Sequence, residues 1–256
     1  MIGVFDSGVG GLSVLTEIRQ LMPEADLTYV ADRARAPYGT RALTEARQYS
    51  MDIADWLVEA RATTLVVACN TASAAALKTL RDGFPNISVV GMEPAVKPAV
   101  MASATGIIGV FATSATFQGE LFATVVDEHA PGVRVETTTC PEWVDLVEAG
   151  HTDGRHVEAS VRASVEPILE SGADTLVLGC THFSFLEPAI AEVAGPKIVI
   201  INPAAAVAAQ TARVAVSETG SGSVQLVASG DLDEFEGLVT NLTGLEKHLP
   251  ALPFQS

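Results

Sequence analysis

The sequence predicts an α/β protein of two pseudo-symmetric lobes, each built on a mostly parallel sheet. The first reason is an alternation of short β-branched runs with longer segments of helical period, which is typical of parallel sheets covered by helices. The second reason is composition: 48% of the 256 residues are hydrophobic and 18% are charged, which supplies a large core and excludes disorder. The third reason is that the chain repeats itself.

Nine segments are predicted as strands because they are short, rich in Val, Ile, Leu and Thr, and bounded by turn residues. These strands are Ile2–Phe5, Leu27–Ala31, Leu65–Ala68, Val89–Gly91, Ile107–Phe111, Val133–Thr137, Thr175–Leu178, Ile198–Ile201 and Val224–Ala228. The helices predicted after them include Leu12–Leu21, Thr44–Ala60, Ala72–Arg81, Ala115–Glu128 and Phe185–Val193. In the first helix Leu12, Leu15, Ile18 and Leu21 form an apolar stripe that can pack on a sheet.

Three segments occur twice with similar sequence. The pairs are Ile2–Phe5 with Ile108–Phe111, Thr64–Cys69 with Thr175–Cys180 and, more weakly, Met92–Ala95 with Ile201–Ala204. Because the offsets agree to within a few residues, we infer two α/β halves related by internal duplication. The first lobe is predicted over residues 1–96 and 206–256 and the second over 97–205, with the active site in the cleft between them.

The charge balance and the cysteines exclude several classes of protein. A formal net charge of −16 argues against nucleic acid or an anionic membrane surface as a partner. The three cysteines are far apart and form no CxxC pair, so neither a disulfide framework nor a zinc ribbon is expected. The chain has no signal-peptide pattern and no apolar run long enough to span a bilayer. We therefore expect a soluble protein of the cytoplasm.

A glycine-rich loop, Asp6–Gly11, follows the first predicted strand and precedes a helix. Ligands of open parallel sheets bind beyond the carboxyl ends of the strands. Glycines allow close approach to the backbone, and a helix N-terminus favours an anion. The dinucleotide-binding GxGxxG spacing is not met because Ser13 occupies its third glycine position. Asp6 and Ser7 are also explained as simple helix N-caps.

Two tripeptides, Cys69–Thr71 and Cys180–His182, follow matching strands of the two halves. Each cysteine ends a buried strand and begins a helix, where the helix dipole favours a thiolate. Either cysteine alone is better explained as a small core residue. The duplication, however, places the two face to face across a cleft. A zinc site formed by Cys69, Cys180 and His182 is an alternative that lacks a further ligand at familiar spacing.

Two opposed thiols suit the inversion of a carbon centre. One thiolate removes a proton from the carbon while the opposite thiol delivers a proton to the other face. A carbon acid beside a carboxylate is very weak, so the site must stabilise the developing negative charge with N–H and hydroxyl donors. Asn70, Thr71 and Thr181 are candidates for that role.

Six motifs distributed over nearly the whole chain carry a family resemblance. They are Val4–Leu12, Ala34–Gly39, Ala68–Ala72, Glu93–Ala99, Cys140–Pro141 with Leu146–Glu148, and Leu178–His182. These motifs resemble those of the cofactor-independent aspartate/glutamate racemase superfamily, and within it those of the glutamate racemases. The resemblance implies an isomerase that interconverts L- and D-glutamate without a cofactor or metal. It also implies a bacterial homodimer that supplies D-glutamate for peptidoglycan.

The resemblance assigns the catalytic roles residue by residue. The resemblance implies that Cys69 is the base that removes the proton from D-glutamate and that Cys180 is the base that removes it from L-glutamate. Each cysteine is the acid in the other direction. Asp6 is implied to assist proton movement on the Cys69 side, and His182 on the Cys180 side. Glu148 matches a further carboxylate near His182.

The resemblance also implies the residues that hold the substrate. They are Asp6, Ser7, Pro37, Tyr38, Gly39, Asn70, Thr71, Thr113, Thr116, Thr181 and His182. Three positions depart from the family pattern: Arg33 stands where a threonine is common, Asp145 where an apolar residue or proline is usual, and Asn202 where an aspartate is usual. Other functions stay open on the residues alone: an aspartate racemase, an amino-acid-binding regulator or a Cys/His metallohydrolase. A decarboxylase of the same superfamily is disfavoured, because it needs only one such cysteine.

Overall fold

The fold is taken from a computed structural model that describes residues 1–215, 220–245 and 251–254. Segments 216–219, 246–250 and 255–256 of the predicted first-lobe range 206–256 lie outside the described residues. The strands are β1 Ile2–Asp6, β2 Leu27–Ala31, β3 Thr64–Val67, β4 Ser88–Gly91, β5 Ile107–Ala112, β6 Arg134–Thr139, β7 Thr175–Gly179, β8 Val199–Ile201, β9 Val224–Ala228 and β10 Ala251–Pro253.

The α-helices mostly alternate with these strands, as a parallel α/β chain requires. They are α1 Leu12–Leu21, α2 Leu43–Glu59, α3 Asn70–Gly83, α4 Val96–Ala102, α5 Ser114–Gln118, α6 Glu120–His129, α7 Pro141–Glu148, α8 Arg155–Glu170, α9 Glu187–Ala194, α10 Ala204–Val214 and α11 Leu232–Thr243. Short 3₁₀ helices cover Arg33–Arg35, Tyr38–Thr40 and Thr181–Leu186. No helix within the described ranges is both long and apolar enough to cross a membrane.

The strands form two parallel sheets with related topology. The larger sheet has the order β10-β9-β2-β1-β3-β4 and the smaller one β6-β5-β7-β8. All the strand pairs described are parallel. The order β2-β1-β3-β4 recurs as β6-β5-β7-β8, which supports the inferred duplication. The two-lobe α/β class is therefore confirmed, while the residue bounds of the lobes stay a prediction.

The core lies on both faces of these sheets. All five residues of β1 are buried, as are all five of β2 and of β7, because helices cover a parallel sheet on each side. In α1, Leu12, Leu15 and Ile18 are fully buried, as their spacing predicts. The prediction that Leu21 packs in the same stripe is wrong, because Leu21 ends the helix and is 54% exposed.

Each predicted strand is present with its ends shifted by at most two residues. The single helix predicted over Ala115–Glu128 is wrong, because Gly119 has extended backbone and separates α5 from α6. A Cβ on Gly119 would lie 2.8 Å from Ala74 Cβ of α3, so close packing holds the break in place. The segment predicted to begin an α-helix directly after Cys180 begins instead with the 3₁₀ turn, and α9 starts at Glu187.

Candidate active site

A cavity with an empty volume of about 630 Å³ lies between the two sheets, beyond the carboxyl ends of β1, β3, β5 and β7. Strands of both halves end there, so side chains from both lobes face one space. The predicted site residues that line it are Ser7, Pro37, Tyr38, Gly39, Cys69, Asn70, Thr71, Thr113, Cys180, Thr181 and His182. Asp6, Thr116 and Glu148 do not line this cavity but contact residues that do.

Cys69 occupies the N-cap of α3, with extended backbone that directs its sulfur to the cavity. The sulfur accepts a hydrogen bond from the Ala72 N–H at 3.4 Å, and the thiol donates to Ser7 Oγ at 3.8 Å. Burial raises the pKa of the Cys69 thiol well above its usual value, and the negative charge of Asp6 raises it further. The Ala72 N–H opposes this shift. A raised pKa favours the protonated thiol, which is the form of an acid.

Asp6, at the end of β1, is completely buried behind Cys69. Its carboxylate accepts hydrogen bonds from the N–H of Ser7 at 2.6 Å, from the Ser7 and Thr181 hydroxyls at 3.1 Å each, and from the N–H of Gly11. Burial raises the pKa of Asp6, while the charge of His182 opposes the increase. A carboxyl group with a raised pKa beside a thiol can exchange a proton with it.

Cys180 has a different neighbour. Its sulfur lies 3.6 Å from His182 Nδ1, and His182 Nε2 lies 2.7 Å from Glu148 Oε1. Burial alone would lower the pKa of His182, but its hydrogen bonds to Cys180 and Glu148 raise it well above the usual value. Burial raises the pKa of Glu148, yet its bond to His182 and that residue's charge leave it lowered overall. The Cys180 sulfur thus faces an imidazolium paired with a carboxylate.

The glycines of the loop after β1 give room to side chains of the other half. A Cβ on Gly8 would collide with the Glu148 carboxylate, and one on Gly10 would collide with the His182 ring. The glycines were predicted to let a ligand approach the backbone, and the groups that approach Gly8 and Gly10 in the structure are protein side chains.

The N–H groups of the same loop are also occupied. The Val9 N–H donates to Glu148 Oε1 at 2.8 Å, and the Gly11 N–H at the start of α1 donates to Asp6. The anions that this loop meets are thus two carboxylates of the protein, those of Glu148 and Asp6.

Asn70 provides unpaired polar atoms in the wall of the cavity. Its side-chain Oδ1 and Nδ2 are buried and have no hydrogen-bond partner among the described residues. Buried amide groups are normally paired, so this donor and acceptor are available to a bound molecule. Beside it, the hydroxyls of Thr71, Thr113 and Thr116 contact one another, with Thr113 Oγ1 at 2.9 Å from each of the other two.

The loop after β2 brings Pro37, Tyr38 and Gly39 to the cavity. The Tyr38 hydroxyl donates to Asp32, which also binds the Arg35 guanidinium at 2.6 Å. Burial and the charge of Asp32 raise the pKa of Tyr38, so its hydroxyl stays protonated. The hydroxyl of Tyr38 therefore holds the loop, while the residue itself forms part of the wall.

Five residues of the cavity wall were missed by the sequence reasoning: Thr40, Ser114, Pro141, Val144 and Asp145. The last three belong to α7 and precede Glu148 by seven, four and three positions. They therefore share one helix face with it. Helical periodicity counted back from Glu148 could have found them. Thr40 and Ser114 adjoin residues that were named.

Comparison with known proteins gives the class. The model of the family described as Asp/Glu/Hydantoin racemase matches residues 5–211, and the chain belongs to this family. The glutamate racemase of Roseiflexus sp. (strain RS-1) is 44% identical over 249 residues, which cover 94% of this chain and 91% of that protein. The glutamate racemase of Pseudomonas paraeruginosa (strain DSM 24068 / PA7) is 48% identical over 213 residues, covering 83% and 80%.

Solved structures agree with these relatives. The RacE1 isoform of glutamate racemase from Bacillus anthracis matches with a TM-score of 0.90 and 30% identity, covering 100% of this chain and 97% of that one. Escherichia coli glutamate racemase, in complex with L-glutamate and the activator UDP-MurNAc-ala, matches with a TM-score of 0.84 and 30% identity, covering 98% and 96%. Within its family the protein is thus an isomerase of the glutamate racemase group, as its motifs predict.

Proposed function

We propose that this enzyme interconverts L- and D-glutamate by a two-base mechanism without a cofactor, with Cys69 and Cys180 as acid and base. The observation that carries the proposal is the pair of cysteines, which come from matching positions of two related halves and line one cavity. The relatives named as glutamate racemases support the substrate.

In the direction from L-glutamate, the Cys180 thiolate takes the proton from Cα and the Cys69 thiol gives its proton to the opposite face. The product is D-glutamate, with Cys180 protonated and Cys69 as the thiolate. Proton exchange with solvent, or a turnover in the reverse direction, restores the starting state. His182, whose Nδ1 contacts the Cys180 sulfur at 3.6 Å, assists proton transfer at Cys180, and Asp6 assists proton exchange at Cys69.

The substrate carries two carboxylates and an ammonium group, and the cavity offers matching polar groups. The unpaired Asn70 amide and the residues Thr71 and Thr113 belong to the wall of the cavity. Such fixed dipoles stabilise the negative charge that develops when Cα loses its proton. They also compensate locally for the net charge of −16, which disfavours the approach of a dianion.

The setting of this activity is part of the proposal. By its family, the enzyme supplies D-glutamate for peptidoglycan and cell shape, acts in the cytoplasm, and works as a homodimer on a small-molecule substrate. The acidic charge supports the expectation that neither nucleic acid nor membrane is a partner.

The test is racemisation by the purified protein with a reducing agent and a metal chelator, without pyridoxal phosphate. We expect L-glutamate to lose optical activity, while L-aspartate under the same conditions keeps it. Faster racemisation of L-aspartate than of L-glutamate would show that aspartate is the substrate instead of glutamate. Activity that disappears with the chelator and returns with zinc would favour the metal alternative, and binding without turnover would favour a regulator.

A further inference from the structure

Arg33 links three groups from distant parts of the chain. It begins the 3₁₀ turn after β2, and its side chain is 11% exposed. Its Nε lies 3.5 Å from Glu148 Oε2 at the end of α7, and its Nη2 lies 3.2 Å from Glu234 Oε2 in the first turn of α11. Its Nη1 donates to the carbonyl of Asp231, the N-cap of α11, at 3.3 Å. One nearly buried cation therefore joins α7 to α11.

Glu148 is held through both of its oxygens. Oε1 accepts the Val9 N–H at 2.8 Å and contacts His182 Nε2 at 2.7 Å, while Oε2 faces Arg33. Among the described residues, Arg33 is the residue that donates a hydrogen bond to Glu148 Oε2. A carboxylate fixed on both oxygens cannot rotate away from the imidazole that it orients.

The contacts form a line that ends at a reacting atom. It runs from Glu234 through Arg33 and Glu148 to His182, whose Nδ1 faces the Cys180 sulfur at 3.6 Å. We propose that Arg33 is a positioning residue for proton transfer at Cys180, because it holds the Glu148 carboxylate that orients His182. This inference rests on the two-cysteine reaction proposed above.

The effect is expected mainly on the Cys180 side of the site. On the Cys69 side, the donors described for the Asp6 carboxylate are backbone N–H groups and hydroxyls, none of which is cationic. The charges of His182 and Glu148 do act on Asp6, but no hydrogen bond among the described residues joins either of them to its carboxylate. Loss of Arg33 therefore slows proton transfer at Cys180 more than transfer at Cys69.

The discriminating measurement is the primary isotope effect on kcat/KM with α-deuterated substrates. Enantiomers have equal free energies, so kcat/KM must fall equally in both directions and cannot by itself reveal which side was damaged. Deuterated L-glutamate reports removal of the proton by Cys180, and deuterated D-glutamate reports removal by Cys69. In Arg33→Met we expect kcat/KM to fall about tenfold. The isotope effect should rise with the L-substrate and fall toward one with the D-substrate.

Two further variants and a matched control accompany it. Arg33→Lys keeps the charge and should restore most of the rate, and Glu234→Gln removes only the anchor on α11 and should give a smaller effect with the same asymmetry. Arg19→Met removes the same formal charge from the exposed last turn of α1 and should leave both isotope effects unchanged. If Arg33→Met does not fold, Arg33→Lys and Glu234→Gln still carry the test.

A pH profile gives an independent readout. The groups around Glu148 that bear charge or titrate are Asp145 on its own helix and, from other elements, Asp6, Tyr29, Arg33, His182, Asp231 and Glu234. Among these, the cation Arg33 favours the ionised form of Glu148. In Arg33→Met the pKa of Glu148 should therefore rise, and the acid-side fall of kcat with L-glutamate should begin at higher pH than in the wild type.

The outcomes separate this inference from the function on which it rests. An active wild-type enzyme whose Arg33→Met variant changes both isotope effects equally, or no more than Arg19→Met does, would overturn the role of Arg33 alone. A wild-type enzyme without racemase activity would overturn the proposed function and this inference with it.

Discussion

The two sides of the active site share their backbone and differ in their chemistry. Cys69 follows β3 with φ −143° and ψ 123°, and Cys180 follows β7 with φ −146° and ψ 137°. Beyond these positions the sides diverge. Cys69 caps an α-helix and has the buried carboxyl group of Asp6 nearby, whereas Cys180 begins a 3₁₀ turn and faces the ion pair of His182 and Glu148.

This difference shows what the duplication fixed and what it left free. Matching strand order places the two sulfurs at equivalent sheet edges, where both line one cavity. The proton affinity of each side is set by residues outside the repeated segments. On one side burial raises the pKa of Asp6 and Cys69, and on the other charge pairing raises the pKa of His182 and lowers that of Glu148.

The largest effect is expected from removing either sulfur. Cys69→Ser and Cys180→Ser should each lower kcat by about 10²–10⁴-fold in both directions, because a serine hydroxyl is a far weaker acid than a thiol. Steady-state polarimetry with each enantiomer measures this. Full activity in either variant would contradict the assignment of one cysteine to each side, since the reaction would then need only one cysteine.

A smaller and directional effect is expected from the neighbours of the two cysteines. His182→Asn should lower kcat with L-glutamate by about 10²-fold, and lower it less with D-glutamate, because His182 contacts Cys180. Asp6→Asn should show the reverse preference. Equal losses in both directions for each variant would contradict the assignment of these residues to separate sides.

The smallest effect concerns stability. The pKa of Glu148 is lowered in the folded protein, so its carboxylate contributes stability above the ordinary value of 4.5, and this contribution is lost as pH falls through the folded pKa. Near neutral pH, Glu148→Gln should reduce the free energy of unfolding by about 1.5–3 kcal/mol, the range for a charged hydrogen bond. Thermal unfolding near pH 6 and near pH 3 checks this, and a difference that persists unchanged at the acid pH would contradict it.

The fold class and the pairing of Cys69 with Cys180 could be predicted from the sequence, because both depend on local pattern and on the internal repeat. Strand runs such as Leu27–Ala31, which is present with the predicted ends, depend on local pattern and burial. The repeat then related Cys69 to Cys180 without further information. The strand β10 was not predicted, because it ends in Pro253 and proline is depleted in strands.

The remainder of the site depends on contacts that local pattern does not encode. Arg33 and Glu148 are 115 positions apart, and neither helical nor strand spacing predicts that they meet. The roles of Gly8 and Gly10 likewise became clear only when side chains from the other half were seen against them. Glu148 was singled out through the family resemblance. Its contacts through both carboxylate oxygens, to Val9 and His182 on one and to Arg33 on the other, are seen only in the folded chain.

The most direct test of the two-base account is the distribution of deuterium early in the reaction. L-Glutamate is incubated with the enzyme in heavy water, and both enantiomers are separated and analysed before conversion has progressed far. Two opposed cysteines predict deuterium at Cα of the newly formed D-glutamate and almost none in the recovered L-glutamate, because the proton removed by Cys180 returns to the face it left. Equal deuterium in both enantiomers would contradict the account, since it would mean that one base serves both faces.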